Sequence, residues 1–155
     1  PSYAWLQATN KSVLQINYNL SLNPNGGNVG IGTSNPGGYK LYVNGPVAGT
    51  SWNQISSRDY KEEITPVAPA EHAAMLDRLL AMDLHRYRYK KEHGGDGTVK
   101  LGFVAEELPR EVLSPDGKAV DTYELLTYAI GAMKAQQGQI EALRAELRAL
   151  QRRGR

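Results

Sequence analysis

Residues 121–150 of the chain read DTYELLTYAIGAMKAQQGQIEALRAELRAL, and apolar side chains recur every seven residues along this stretch. Two sets of positions, three residues apart, repeat over four heptads: Leu126, Met133, Ile140 and Leu147, and then Ala129, Gln136, Leu143 and Leu150. Such a repeat is typical of a coiled coil, in which both sets of side chains pack between helices. The sequence therefore predicts a helix over residues 121–155 that associates through a seam. The seam residues are Leu126, Met133, Gln136, Ile140, Leu143, Leu147 and Leu150.

The start of this helix and its irregular positions carry further information. Asp121 and Glu124 have the spacing of an N-cap residue and the acid that bonds back to it. Gly131 and Gly138 fall on the predicted outward side, where each costs about 1 kcal/mol of helix propensity. Gln136 puts one polar layer into the seam, which in coiled coils fixes register and strand number. The alternative is one amphipathic helix packed on its own domain, and the heptads alone leave the number of chains open.

The segment before this helix, residues 56–120, mixes helical and strand patterns. Two prolines precede a stretch with leucine and alanine on one face, which predicts a helix over residues 69–82. Residues 84–90 and 99–104 alternate in polarity around the glycine-rich turn at 94–97, which predicts a β-hairpin. We expect this segment to be a small α+β unit.

Glycine, asparagine and proline are crowded into the first 50 residues. Residues 13–22 place Leu14, Ile16, Tyr18 and Leu20 on one side, which predicts a half-buried strand. Another short strand is predicted at residues 39–43. Strands this short cannot bury a core alone, so residues 1–55 are predicted to be the end of a β-rich stalk. The fold class expected is α+β, with this stalk stub, a small α+β core and a long C-terminal helix.

The composition excludes several kinds of site. The 155 residues include no cysteine, and the three histidines lack metal-ligand spacing. No apolar run approaches the roughly 20 residues needed to span a bilayer. We therefore expect no metal, no cofactor and no membrane partner. The chain begins with Pro1 rather than methionine, so we expect it to be a piece of a longer protein.

The formal net charge is +2, and basic residues gather at the C-terminus: Arg148, Arg152, Arg153 and Arg155. Net charge is an unspecific signal of nucleic-acid binding, and no aromatic residues lie between these arginines. Nucleic acid is therefore not the expected partner. A basic coiled-coil module that binds nucleic acid stays open as an alternative.

Three segments, in this order, carry a resemblance to a known family. Residues 28–33 and 40–45 (NVGIGT and KLYVNG) resemble a repeat common at the ends of phage fibres and bacterial adhesins. Residues 56–64 (SSRDYKEEI) are similar to the signature that opens the intramolecular chaperone auto-processing domain. Residues 101–108 (LGFVAEEL) resemble the second motif of that domain. With the heptad helix behind them, these segments identify the chain as a member of the self-cleaving tailspike and tail-fibre chaperone family.

The resemblance implies a life cycle and a location. Family members form homotrimers through this domain, help the upstream β-rich fibre to fold, and then cut themselves at the start of the domain. The implied partners are two further copies of the chain and its own upstream fibre segment. The implied location is a phage virion tail fibre or a cell-surface appendage, with the chaperone acting in the host cytoplasm during assembly. The helix would then lie in a trimeric coiled coil.

The resemblance also implies the catalytic residues. The family nucleophile maps onto Ser56 and the general base onto Lys61, so that cleavage falls between Ile55 and Ser56. The chemistry is consistent, because a serine hydroxyl needs a base and lysine can serve where its surroundings favour the neutral amine. Ser57 is the fallback nucleophile. Without the resemblance, Ser56 and Lys61 would read as ordinary exposed polar residues, because their spacing is common by chance.

Two further functions stay open beside this single-turnover serine peptidase. One is a structural cap with the same fold, which trimerises a fibre or bacterial adhesin and does not cut it. The other is the basic nucleic-acid-binding module, which would bind DNA with a steep salt dependence.

Overall fold

Both helices begin where the sequence places helix-start signals. The computed structural model describes residues 4, 6–13 and 15–154. Helix α1 is Pro69–Leu80, with proline at its first position, where a missing N–H costs nothing. Helix α2 is Thr122–Arg153, and Asp121 caps it by accepting hydrogen bonds from the next residues. The predictions of a helix over 69–82 and of a long helix starting at 121 are confirmed.

The described residues contain four short strands, which form two separate pairs. Strands β1 (Val29–Ile31) and β2 (Leu41–Val43) run parallel, and β3 (His85–Tyr87) and β4 (Lys100–Gly102) run antiparallel. The second pair confirms the predicted hairpin, although both of its strands are shorter than predicted. The described chain is therefore a mixed α+β protein with small sheets and a long C-terminal helix.

The chain divides into two compact units. The first consists of Pro1–Ala48 with Lys91–Gly95, and the second of Gly49–Lys90 with Asp96–Arg155. These units do not test the domain boundaries expected at residues 55/56 and 120/121, which stay predictions.

In the first unit, the strand predicted over residues 13–22 is wrong. Among the described residues of this segment, pairing is limited to an isolated antiparallel bridge between Thr9 and Asn17, and Ile16, Tyr18 and Leu20 are exposed. Leu14, which belonged to the same prediction, lies outside the described residues. The alternating pattern requires a second layer to cover its apolar side, because a two-stranded ribbon alone is marginal in water.

The core of the second unit lies where α1 packs on α2. Five apolar side chains are buried there: Leu76, Leu108, Val112, Tyr128 and Ala132. Val112, from the 3₁₀ helix Arg110–Val112, is fully buried and lies in a cluster with Leu108 and Tyr128. The side of α2 that carries Tyr128 and Ala132 therefore holds this unit together.

Gly131 lies on this same buried side of α2, so the prediction that it points outward is wrong. A Cβ atom added at Gly131 would overlap Met75 Sδ of α1 and lie 3.4 Å from His72 Cδ2. The absence of a side chain thus lets α1 approach α2 closely. A Cβ added at Gly138 meets nothing within 4 Å, as the outward prediction requires.

The seam residues lie on another side of α2 and are exposed in the single chain. Leu126 is 59% exposed and Leu143 65% exposed, and the other apolar seam residues are also exposed: Met133, Ile140, Leu147 and Leu150. Gln136 is exposed as well. The long helix is thus present, with an apolar stripe that the chain itself does not cover. Among the described residues, no helix combines the length and apolar character needed to cross a membrane.

Candidate functional site

The structure brings Ser56 and Lys61 together. Lys61 Nζ donates a hydrogen bond to Ser56 Oγ at 2.8 Å. The 3₁₀ turn Arg58–Tyr60 lies between the two residues and folds the chain back, so that five residues of sequence separation become direct contact. The pair predicted from the sequence thus has the geometry for proton transfer, which requires heavy atoms within about 2.6–3.2 Å.

A third side chain, which the sequence reasoning missed, completes this contact. The hydroxyl of Tyr123 lies 3.0 Å from Ser56 Oγ. Tyr123 is in the first turn of α2, 67 positions further along the chain. No motif or spacing marks this residue, because its relation to Ser56 exists only after the helix has packed against the rest of the unit.

The capping contact of α2 fixes the backbone at Tyr123. Asp121 Oδ1 accepts hydrogen bonds from the N–H groups of Tyr123 and Glu124, at 2.9 and 3.0 Å. The N–H of Asp121 donates to the carbonyl oxygen of Val112 at 2.9 Å, which links the cap to the buried core. The tyrosine that contacts Ser56 therefore stands on a segment tied to the core, and not on a loose loop.

Ser57, the fallback nucleophile, has a different role in the structure. Its Oγ accepts a hydrogen bond from the N–H of Asp59 at 3.3 Å and caps the 3₁₀ turn. The Lys61 amine contacts the Ser56 hydroxyl instead. The geometry therefore favours Ser56 over Ser57 as the reacting hydroxyl.

The surroundings of the pair are open in the single chain. Ser56, Lys61 and the preceding Ile55 are exposed, and Tyr123 is 41% exposed. Water therefore has access to both side chains of the pair in the single chain.

The second motif of the sequence, residues 101–108, lies next to the core and not at the serine. Leu108 is one of the five buried apolar side chains. Glu107 Oε2 lies 2.6 Å from His85 Nε2 of β3, an ion pair when the imidazole is protonated. The motif thus joins the hairpin to the segment that carries the buried residues Leu108 and Val112, which is a structural role.

An ion pair links α1 to the 3₁₀ helix that carries Val112. Arg78 Nη1 lies 2.7 Å from Glu111 Oε1, and both side chains are more than half exposed. The hydroxyl of Tyr128 is buried without a well-formed hydrogen bond among the described residues. Interaction first with this hydroxyl, and then with Glu111, raises the pKa of Arg78. The pKa of Glu111 is lowered, chiefly by a backbone hydrogen bond and then by Arg78.

Residues 56–116 match a family model described as chaperone of endosialidase. The match begins at Ser56, includes Lys61 and the second motif, and ends shortly before the N-cap of α2. No curated protein matches the chain. The comparison therefore covers the segment with the candidate pair and with the buried residues Leu76, Leu108 and Val112.

Proposed function

We propose that this chain carries the intramolecular chaperone of a phage-type tail fibre or tailspike, because residues 56–116 match the family model described as chaperone of endosialidase. It drives homotrimerisation and folding of the fibre segment before it, and then cuts itself between Ile55 and Ser56. The observation that carries the cut is the 2.8 Å hydrogen bond between Lys61 Nζ and Ser56 Oγ, at the first residue of the matched segment.

The proposed cut proceeds through an ester. Neutral Lys61 takes the proton of the Ser56 hydroxyl, and Oγ attacks the carbonyl carbon of Ile55 in the peptide bond that precedes the serine. The Ile55–Ser56 C–N bond breaks as its nitrogen takes up a proton, which leaves an ester between Ile55 and Ser56 Oγ. Water then hydrolyses this ester, releasing a carboxylate at Ile55 and a free α-amine at Ser56. Folding holds the reacting groups together, which lowers the entropic part of the activation barrier.

The apolar seam supports the assembly half of the proposal. Its side chains are exposed in the single chain although their heptad spacing is that of a coiled coil. Burial of apolar surface contributes about 25 cal/mol per Å², so covering this stripe with copies of itself is favourable. Three chains of 17.0 kDa would form a particle of about 51 kDa, which light scattering measures directly.

Assembly also offers a physical reason for the cut to occur after trimerisation. Ser56 and Lys61 are exposed in the single chain, and a lysine becomes an effective base when its surroundings favour the neutral form. Neighbouring copies that cover the pair would supply this change. The cut would then follow trimerisation, and the fibre would be released only after it has been assembled.

Denaturing electrophoresis of freshly purified chain over time tests the cut. Division of the 17.0 kDa chain after 55 of its 155 residues gives bands of about 6 and 11 kDa. Ser56→Ala and Lys61→Ala are expected to abolish both bands. Ser57→Ala removes neither member of the 2.8 Å pair and only the longer, 3.3 Å bond at the turn, so it is expected to cut. A wild-type chain that stays in a single full-length band after long incubation contradicts the proposed cleavage.

A structural cap that trimerises the fibre without cutting it is the second candidate. The observation in its favour is the exposure of both Ser56 and Lys61, since an open site does not exclude water from the reacting groups. This candidate predicts a trimer by light scattering together with a single full-length band on the gel. The same two measurements therefore separate it from the self-cleaving chaperone.

A further inference from the structure

The Ser56 hydroxyl has two partners, of which the proposed cleavage uses only one. Lys61 Nζ lies 2.8 Å from Ser56 Oγ, and the hydroxyl of Tyr123 lies 3.0 Å from the same atom. A serine hydroxyl has one proton to donate and two lone pairs that accept, so it can bond to both residues at once. We propose that Tyr123 is a positioning residue for the self-cleavage, an inference that rests on the function proposed above.

The number of protons determines what Tyr123 does. For attack, the Ser56 O–H has to donate to neutral Lys61, which removes the only proton that the serine has. Tyr123 must then be the donor in the second bond, with its phenol O–H directed at a lone pair of Ser56 Oγ. With that lone pair occupied by the phenol, the lysine is the remaining partner for the serine's own proton. Without the phenol hydroxyl, the serine is free to adopt other rotamers and to donate to water.

The position of Tyr123 connects this contact to the helix of the seam. Asp121 holds the first turn of α2 through the N–H groups of Tyr123 and Glu124. The Tyr123–Ser56 contact is thus present only when that turn is folded and packed. Serine alignment therefore depends on the folding of α2, and a chain in which α2 has not folded keeps its nucleophile misaligned.

The test compares Tyr123→Phe with the wild-type full chain and with Tyr60→Phe. Tyr60 is exposed and belongs to the turn between Ser56 and Lys61. The substitution Tyr60→Phe therefore removes the same kind of hydroxyl close to the site. Cleavage is followed on gels to give a first-order rate constant and a final extent, with light scattering of each variant. Loss of a hydrogen bond to the reacting oxygen is expected to lower the rate constant about tenfold in Tyr123→Phe, with full final extent and unchanged particle size. Tyr60→Phe is expected to cut like wild type.

Two results of this comparison would overturn the proposal. One is a rate constant for Tyr123→Phe equal to that of wild type. The other is a lower final extent with an unchanged rate constant, which means that part of the sample has misfolded and that Tyr123 is merely structural. Both results leave the wild-type cleavage itself in place.

A second probe keeps the role of Tyr123 separate from cleavage itself. A fluorophosphonate ester reacts with activated serines, and mass spectrometry measures its attachment to Ser56 over time. If the wild type does not cut but Ser56 is labelled, about tenfold slower labelling in Tyr123→Phe supports the positioning role while the cleavage proposal fails. Equal labelling of the two proteins overturns the positioning role. A wild-type chain that is neither cut nor labelled at Ser56 overturns both proposals.

Discussion

Replacement of Gly131 by alanine probes the contact between α1 and α2 with a single methyl group. The new Cβ would overlap Met75 Sδ and lie 3.4 Å from His72 Cδ2. Met75 packs against the buried cluster of Leu108, Val112 and Tyr128, so its displacement disturbs the core. Gly138→Ala is the matched control on the same helix, because its Cβ meets nothing within 4 Å.

Gly138→Ala is expected to raise the stability of the chain, whereas Gly131→Ala is expected to leave it unchanged or to lower it. Each gains about 1 kcal/mol of helix propensity from glycine to alanine. At Gly138 this gain stands alone, so the free energy of unfolding should rise by about 1 kcal/mol. At Gly131 overpacking costs about 1–3 kcal/mol, which cancels or exceeds the gain. The unfolding free energies of the two variants should therefore differ by about 1–3 kcal/mol, with Gly131→Ala the less stable.

Denaturant unfolding, followed by circular dichroism at a fixed chain concentration, measures this difference. Met75→Ala supplies a check on the cause, because it removes the atom that the new methyl overlaps. In the double variant, Gly131→Ala should cost less than it does alone, with a coupling energy of about 1 kcal/mol or more. If Gly131→Ala stabilises the chain as much as Gly138→Ala does, the close contact of α1 with Gly131 is refuted.

Three further predictions concern the cap, the ion pair and the seam. Asp121→Ala should destabilise the protein by about 1 kcal/mol in urea unfolding and slow the cut, whereas Asp121→Asn, which can still cap, should restore both. Since the pKa of Glu111 is lowered from its ordinary value of 4.5, its stabilising effect is present above that pH and is lost as the pH falls through the lowered pKa. The difference in unfolding free energy between wild type and Glu111→Gln should therefore shrink in acid; a constant difference from neutral to acidic pH would contradict this. Leu143→Lys puts a charge into the seam and should reduce the particle to single chains in sedimentation, whereas Ala145→Lys, two residues away and outside the seam, should not. Equal particle sizes for these two variants would count against the coiled coil.

Local signals explain why both helices could be predicted from the sequence. The N-cap of α2 and the proline at the start of α1 act within a few residues, and apolar periodicity repeats along each helix. The strand prediction for residues 13–22 fails for the complementary reason. Their alternating pattern requires a second layer of structure over its apolar side, and the described residues form no such layer there. The heptad pattern predicts that Gly131 points away from the seam, but it does not indicate what packs against that other side of the helix. Its packing against α1 is a tertiary contact, with no sequence signal in the helix itself.

The same distinction between local and distant contacts applies to the candidate site. Ser56 and Lys61 are five residues apart, and a resemblance within one short motif was sufficient to single them out. Tyr123 is separated from Ser56 by 67 positions, and a tyrosine in the first turn of a predicted helix has many possible partners. Only the packing of the unit selects Ser56 among them. The Ser56–Lys61 pair can thus be predicted from the sequence, whereas its contact with Tyr123 cannot.

One side of α2 is covered within the chain and another is exposed, and this bears on how folding and the proposed assembly can be combined in one helix. Tyr128, Gly131 and Ala132 are covered within the chain, whereas Leu126 and Met133 are exposed. At about 100° per residue, the covered group and the exposed group occupy separate arcs of the helix. Association through the seam would therefore add contacts to α2 without displacing α1 from it. Because α1 and the cap both hold the first half of α2, the helix can be formed in a single chain before other copies arrive, which lowers the entropic cost of association. The proposed trimerisation would gain from a helix ordered in advance, since each copy would then bring a preformed seam to the others.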